Sequence, residues 1–249
     1  MNRKRIFITG ATSGIGKIIA ELSLKRGYEV FATGRNEEAL LSLSKLGAKV
    51  MQGDLCQKAD IHRLCNELPE IDVAIINAGV GAFDNAFDLS EEEIDRMIDV
   101  NIRAPIYMAK YLAPNMIQKR SGHFIFIGSQ AGKVATKKAS VYAASKHAIT
   151  GFVNGLRLEL APYNIKVSAV YPGPIDTPFL DKADSTSSYR NSVKGVLLQP
   201  EKVAMEVIRL IDHPKREINL PRIMGATSKI YAAAPALVEK LGKRFFTKK

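Results

Sequence analysis

Short runs rich in β-branched and aliphatic residues alternate along the chain with longer stretches whose apolar residues recur every three or four positions. Seven runs read as strands: 5–9, 29–33, 48–52, 73–77, 123–128, 166–171 and 217–220. They are nearly continuous in Ile, Val, Phe and Ala, as strands buried on both faces are. Helical spacing marks 16–26, 37–46, 60–68, 90–119, 140–161 and 200–211. Ser90 followed by Glu93 is a capping-box start for the fourth of these. No repeat, linker or low-complexity segment divides the chain. The alternation therefore predicts one α/β domain over residues 1–249, a doubly wound, mainly parallel sheet with helices on both faces. Ligands of such sheets bind beyond the carboxyl ends of the strands, so residues placed just after strands carry the chemistry.

Composition narrows the classes. With 46% apolar and 24% charged residues among 249, the chain is ordinary globular protein rather than disordered. Cys56 and Cys65 stand without a Cys-x-x-Cys or His pattern, and His62, His123, His147 and His213 are scattered, so neither a metal site nor a disulfide framework is expected. Met1–Arg5 runs straight into a strand with no apolar leader, and no stretch of about 18 uncharged apolar residues exists. A cytoplasmic chain with reduced thiols is the expectation. The net charge of +11 raises nucleic acid, membrane surfaces and anionic cofactors as partners. Between residues 222 and 249, however, seven Lys and Arg face the single acid Glu239, so more than half of the surplus belongs to the tail.

Directly after the first strand comes Thr9-Gly10-Ala11-Thr12-Ser13-Gly14-Ile15-Gly16, followed by a helix. Glycines at 10, 14 and 16 let the turn tighten and bring backbone N–H groups to a pyrophosphate at the helix N-terminus. The second strand ends in Thr33-Gly34-Arg35, with no acid to meet an adenosine 2′-hydroxyl. Arg35 offers a cationic fork suited to a 2′-phosphate, which favours NADP (NADPH) over NAD. After the third strand Asp54 can accept from an adenine amino group while Leu55 packs on the ring. Asn77-Ala78-Gly79 gives a close backbone approach after the fourth. Ser129 follows the fifth strand, and thirteen residues on stands Tyr142-x-x-x-Lys146. At i and i+4 of a helix both side chains project from one face. A phenol is a poor base near neutrality, and a neighbouring ammonium favours the phenolate. Ser129 can hydrogen-bond a substrate oxygen held near Tyr142.

These residues, together with Asn101 and Pro172-Gly173, resemble the short-chain dehydrogenase/reductase family, in its single-domain branch of about 250 residues. The likeness runs from about Lys4 to Leu220. It implies a seven-stranded Rossmann-type sheet and hydride exchange between a nicotinamide cofactor and a carbonyl or alcohol. Tyr142 would be the acid/base, and Lys146 would bind the nicotinamide ribose and tune Tyr142. Ser129 would orient the carbonyl, and Asn101 would anchor a relay water. In Pro172-Gly173-Pro174-Ile175-Asp176-Thr177, Ile175 and Thr177 would hold the carboxamide. A homo-oligomer, dimer or tetramer, is also implied, through the helices containing Asn101 and Tyr142. The competing class is a non-catalytic NADP-binding or membrane-surface interaction protein that keeps the fold. Intact Ser129, Tyr142 and Lys146 argue against it.

Two segments bear on the substrate. Residues 176–199 are polar with few apolar anchors and are expected to form a mobile flap over the pocket. Phe83, Phe87, Phe179 and Leu180 are candidates for its apolar lining. Residues 221–249 form a basic extension that mixes Lys and Arg with Ile223, Met224, Ile230, Tyr231, Leu237, Val238, Leu241, Phe245 and Phe246. It can lie on an anionic membrane surface, pack at the substrate entrance or form an interface, with Pro235 and Gly242 breaking any long helix. No nucleic-acid-binding module is present.

Overall fold

In the computed structural model, residues 3–184, 186 and 188–242 are described. Their strands are β1 (Arg5–Thr9), β2 (Glu29–Gly34), β3 (Lys49–Gln52), β4 (Val73–Ile76), β5 (Gly122–Ile127), β6 (Ile165–Pro172) and β7 (Glu217–Leu220). They form one sheet in the order β3-β2-β1-β4-β5-β6-β7, with every pairing parallel. Successive side chains of a strand point to opposite faces, so each strand feeds two cores. Ile6, Ile8, Ile125 and Ile127 face the layer of α1 (Gly14–Lys25), α2 (Glu37–Lys45) and the later helix Pro200–Asp212, through Ile19, Leu43 and Val207. Phe7, Phe124 and Phe126 face α3 (Lys58–Glu67) and the helices Ala104–Lys119 and Ser140–Leu160, through Leu64, Met108 and Val153. Each such fully buried side chain contributes about 1.5–3 kcal/mol.

The expected strands and helices are all present, with ends displaced by one or two residues. The helix expected over 90–119 is continuous but not uniform. Ser90 caps α4 (Glu91–Ile98) with the reciprocal Glu93 bond, and a π-helical turn over Asp99–Arg103 then leads into α5 (Ala104–Lys119). Pro105 has no N–H to give the carbonyl of Asn101 four residues back, which loosens the α-helical ladder where the wider turn forms. The remaining helices are α6 (Ser140–Leu160), α7 (Pro178–Ala183), α8 (Ser188–Val193), α9 (Pro200–Asp212), α10 (Arg222–Ala233) and α11 (Pro235–Leu241). Among the described residues no helix is long and apolar enough to cross a membrane, and no His, Cys, Asp and Glu cluster could hold a metal. Cys56 and Cys65 are free thiols.

One buried polar group tests the core. His123 of β5 lies 2.8 Å through Nε2 from the Ser168 hydroxyl, which itself donates to the Lys215 carbonyl. The imidazole is therefore the neutral Nε2–H form, with Nδ1 unpartnered. Burial, helped by Lys4 and Lys166, pulls its pKa down to about 4 from 6.5. The folded protein thus binds this proton later than the unfolded chain, and stability falls as pH drops from 6.5 towards 4. The loss attributable to His123 is about 3 kcal/mol. Denaturant midpoints across this range should show it, and His123→Gln should flatten that part of the profile relative to wild type.

Candidate active site

The sheet order reverses between β1 and β4, and the crevice beyond their carboxyl ends is where a doubly wound sheet leaves room. There the Thr9 hydroxyl accepts from the N–H groups of Asn77 and Ala78, both at 3.0 Å, and the Asn77 amide donates back to the Thr9 carbonyl at 2.9 Å. The turn after β1 is thereby tied to the turn after β4. Gly10 at φ +65° and Gly14 at φ +53° take the left-handed backbone. A Cβ at Gly16 would sit 2.2 Å from the Gly10 carbonyl, so only glycine closes this turn. Above it opens a cavity of about 1110 Å³.

All the expected cofactor residues line this cavity: Gly10, Thr12, Ser13, Gly14, Ile15, Gly16, Arg35, Asp54, Leu55, Asn77, Ala78, Gly79, Pro172, Gly173, Ile175 and Thr177. Ser13 precedes α1 without spending its side chain on a cap, which leaves hydroxyl and helix N-terminus facing the same space. Arg35 is exposed at the rim, and no hydrogen bond or ion pair among the described residues engages its guanidinium. Asp54 spends one oxygen on the Cys56 N–H at 3.0 Å. The volume, the glycine floor and the uncommitted donors fit a dinucleotide. Arg35 and the helix N-terminus would hold its phosphates, and it would supply a hydride.

Ser129, Tyr142 and Lys146 line the far wall of the same cavity. Ser129 stands just beyond β5, its hydroxyl accepting from the Ala131 N–H at 3.1 Å. The next residue, Gln130, donates to the Tyr171 carbonyl at 2.8 Å and to Asn219 at 3.0 Å. Lys133 bonds Glu217 and Asn219, both at 2.9 Å, and lies 4.0 Å over the Tyr171 ring. Sequence reasoning missed this brace, because its partners meet only through β7. Tyr142, only 8% exposed, sits among Phe83, Phe179 and the flap's Tyr189, with ring centroids 4.8–6.3 Å apart for contacting pairs. Burial raises its pKa well above that of a free phenol, with the Ser129 hydroxyl pulling the other way. The Lys146 ammonium turns to the Ile127 carbonyl at 3.4 Å, 5.8 Å from the Tyr142 ring centroid. Desolvation, and not the Lys146 charge, sets the direction of the Tyr142 shift.

Asn101 does not line the cavity. Held in the π-helical turn and 1% exposed, it accepts from the Val80 N–H at 2.9 Å and donates to the Val80 carbonyl and the Ser145 hydroxyl. Phe83, Phe179 and Leu180 line the pocket as expected, but Phe87 is 86% exposed and does not. Among its described residues, the segment expected to be a mobile flap forms α7 and α8. Asp184 caps the loop through the Thr186 and Tyr189 N–H groups, and Arg190 clamps Asp176 and Asp181. Its polar residues satisfy one another, which composition alone does not reveal. The tail packs at the entrance, with Met224, Thr227, Tyr231, Val238 and Gly242 on the cavity wall. Phe245, Phe246 and the last lysines lie outside the described residues.

A family model for short chain dehydrogenases matches residues 4–188. An uncharacterized oxidoreductase of Staphylococcus aureus is 34% identical over 216 residues, 84% of this chain and 90% of the relative. Uncharacterized oxidoreductase YxnA of Bacillus subtilis is 31% identical over 252 residues, 95% of this chain and 70% of the relative. Among solved structures, the closed form of a serine dehydrogenase complexed with NADP+ has a TM-score of 0.80 at 30% identity, covering 86% of this chain and 93% of that one. A short-chain dehydrogenase of Sphingobium yanoikuyae in complex with NADPH has a TM-score of 0.82 at 27% identity, covering 95% of each.

The buried ammonium makes its own prediction. Desolvation pulls Lys146 down to about 8 from 10.5. The unfolded chain therefore binds this proton more tightly, and the resulting penalty is complete below pH 8 and relieved as pH rises towards 10.5. Lys146→Met should stabilise the ligand-free protein at neutral pH by up to about 3 kcal/mol. Urea unfolding at neutral pH and near pH 10 should show the advantage shrinking with pH.

Proposed function

The chain belongs to the short-chain dehydrogenase family, and on that premise we propose that it is an NADP-dependent oxidoreductase exchanging hydride with a carbonyl or alcohol. The observation that carries the reading is the convergence of Ser129, Tyr142 and Lys146 on one wall of a glycine-floored cavity. NADPH held there would supply the hydride. Ser129 holds the carbonyl oxygen, and Tyr142 donates a proton to that oxygen as it gains negative charge. Burial keeps the phenol protonated, which is the form a proton donor needs. Lys146 offers its ammonium to the cofactor ribose and favours the phenolate once the proton has left. Asn101 acts as a positioning residue, fixing the Val80 backbone and the Ser145 hydroxyl one residue before Lys146. The ring cluster of Phe83, Phe179 and Tyr189 around Tyr142 favours a substrate with an apolar flank.

Loss of reduced-nicotinamide absorbance with a panel of ketones and aldehydes tests the activity. Tyr142→Phe should lower kcat by about a thousandfold while NADPH still binds, as read by its fluorescence. Full turnover in that variant would remove Tyr142 from the mechanism. For the cofactor, Arg35→Asp should shift the ratio of kcat/KM for NADPH over NADH downward by roughly thirtyfold or more, the worth of a charge-assisted phosphate contact. Equal efficiency of the wild type with both cofactors would overturn the NADP assignment.

A further inference from the structure

Helices α10 and α11 have two faces with different tasks. Inward, Met224, Thr227, Tyr231 and Val238 line the cavity. Outward, Ile223, Ile230, Leu237 and Leu241 are 70%, 60%, 57% and 80% exposed. Ile223 and Ile230 are two helical turns apart on α10, and Leu237 and Leu241 one turn apart on α11, so each pair shares a face. Exposed cations accompany them: Arg222 and Lys229 each precede one of the isoleucines, and Lys240 precedes Leu241. The one acid of the segment, Glu239, accepts a hydrogen bond from the Tyr231 hydroxyl at 2.8 Å. The sequence then continues with Lys243, Arg244, Lys248 and Lys249, outside the described residues.

Aliphatic side chains in water cost free energy, and pairing them with cations specifies what would cover them. A second copy is a poor match. A twofold contact through this patch would bring the cationic set Arg222, Lys229 and Lys240 up against the same set on the other copy, with no acid of the segment free of Tyr231 to offset it. Nucleic acid would use the cations but leave the aliphatic groups exposed to phosphates and water. An anionic bilayer answers both, because acyl chains take the apolar groups and headgroups take the charge.

We propose that α10 and α11 form a docking surface for an anionic phospholipid bilayer, so that the segment walling the substrate cavity rests on a membrane. Full-length protein is sedimented with vesicles of phosphatidylcholine alone and of phosphatidylcholine mixed with phosphatidylglycerol. The protein should pellet with the mixed vesicles, stay in solution with the neutral ones, and be released by salt. Lys229→Glu with Lys240→Glu should weaken vesicle binding by roughly tenfold or more per reversed charge. Ile230→Asp with Leu241→Asp should abolish it. None of these four side chains lines the cavity, so far-ultraviolet circular dichroism and NADPH affinity should match wild type in both variants. No pelleting, equal pelleting with neutral vesicles, or wild-type pelleting by the folded variants would overturn the proposal. So would an oligomer in solution that the Ile230→Asp, Leu241→Asp variant dissociates, since a second copy would then cover the face. The readout is partitioning rather than turnover, so its failure is separate from any failure of the oxidoreductase reading.

Discussion

The site hangs on the exchange between Thr9 and Asn77. Where the sheet order reverses, two adjacent strands send their chains away in opposite directions, and the gap leaves backbone groups without ladder partners. Thr9 and Asn77 supply those partners to each other. Because the Asn77 amide also reaches the Gly10 carbonyl at 3.3 Å, the glycine turn and the loop carrying Gly79 are joined at a second point. A glycine floor is then a packing requirement before it is a binding feature. A Cβ at Gly10 would lie 2.9 Å from the Ala78 Cα, and one at Gly16 would strike the Asn77 amide.

The opposite wall is built on another principle. Desolvation drives Tyr142 and Lys146 both towards their neutral forms, one upward and one downward. At neutral pH the Tyr142 phenol is uncharged while Lys146, at about 8, still carries its proton, so this wall holds a single buried charge rather than an ion pair. Ser129, braced through Gln130 and Lys133 to the last strand, gives that wall its rigidity.

Residue patterns made most of this legible. Buried parallel strands announce themselves as unbroken apolar runs, and the chemistry lies at their ends, so Gly10 to Gly16, Arg35, Ser129 and Tyr142 could be placed without coordinates. The misses share a cause. Tyr189 sits in a polar stretch whose fold depends on Asp184 and Arg190 finding partners across a loop. Lys133 gains meaning from partners far along the chain, Glu217 lying 84 residues away. Phe87 looks like a pocket residue by proximity and faces water. Asn101 is named by the family resemblance alone; the residue-level signal for its turn is Pro105, four residues on, which weakens the ladder there.

That π-helical turn also works as a phase shifter. A turn that takes an extra residue rotates everything after it by about 100° relative to an unbroken α-helix. The same rod can therefore address two neighbours on different bearings. Before the turn, Glu93, Arg96 and Met97 look into the cavity, and beyond it Met108, Leu112 and Met116 look into the core beneath the sheet. Rim and foundation are thus two stretches of one continuous rod, set on different bearings by the turn that holds Asn101.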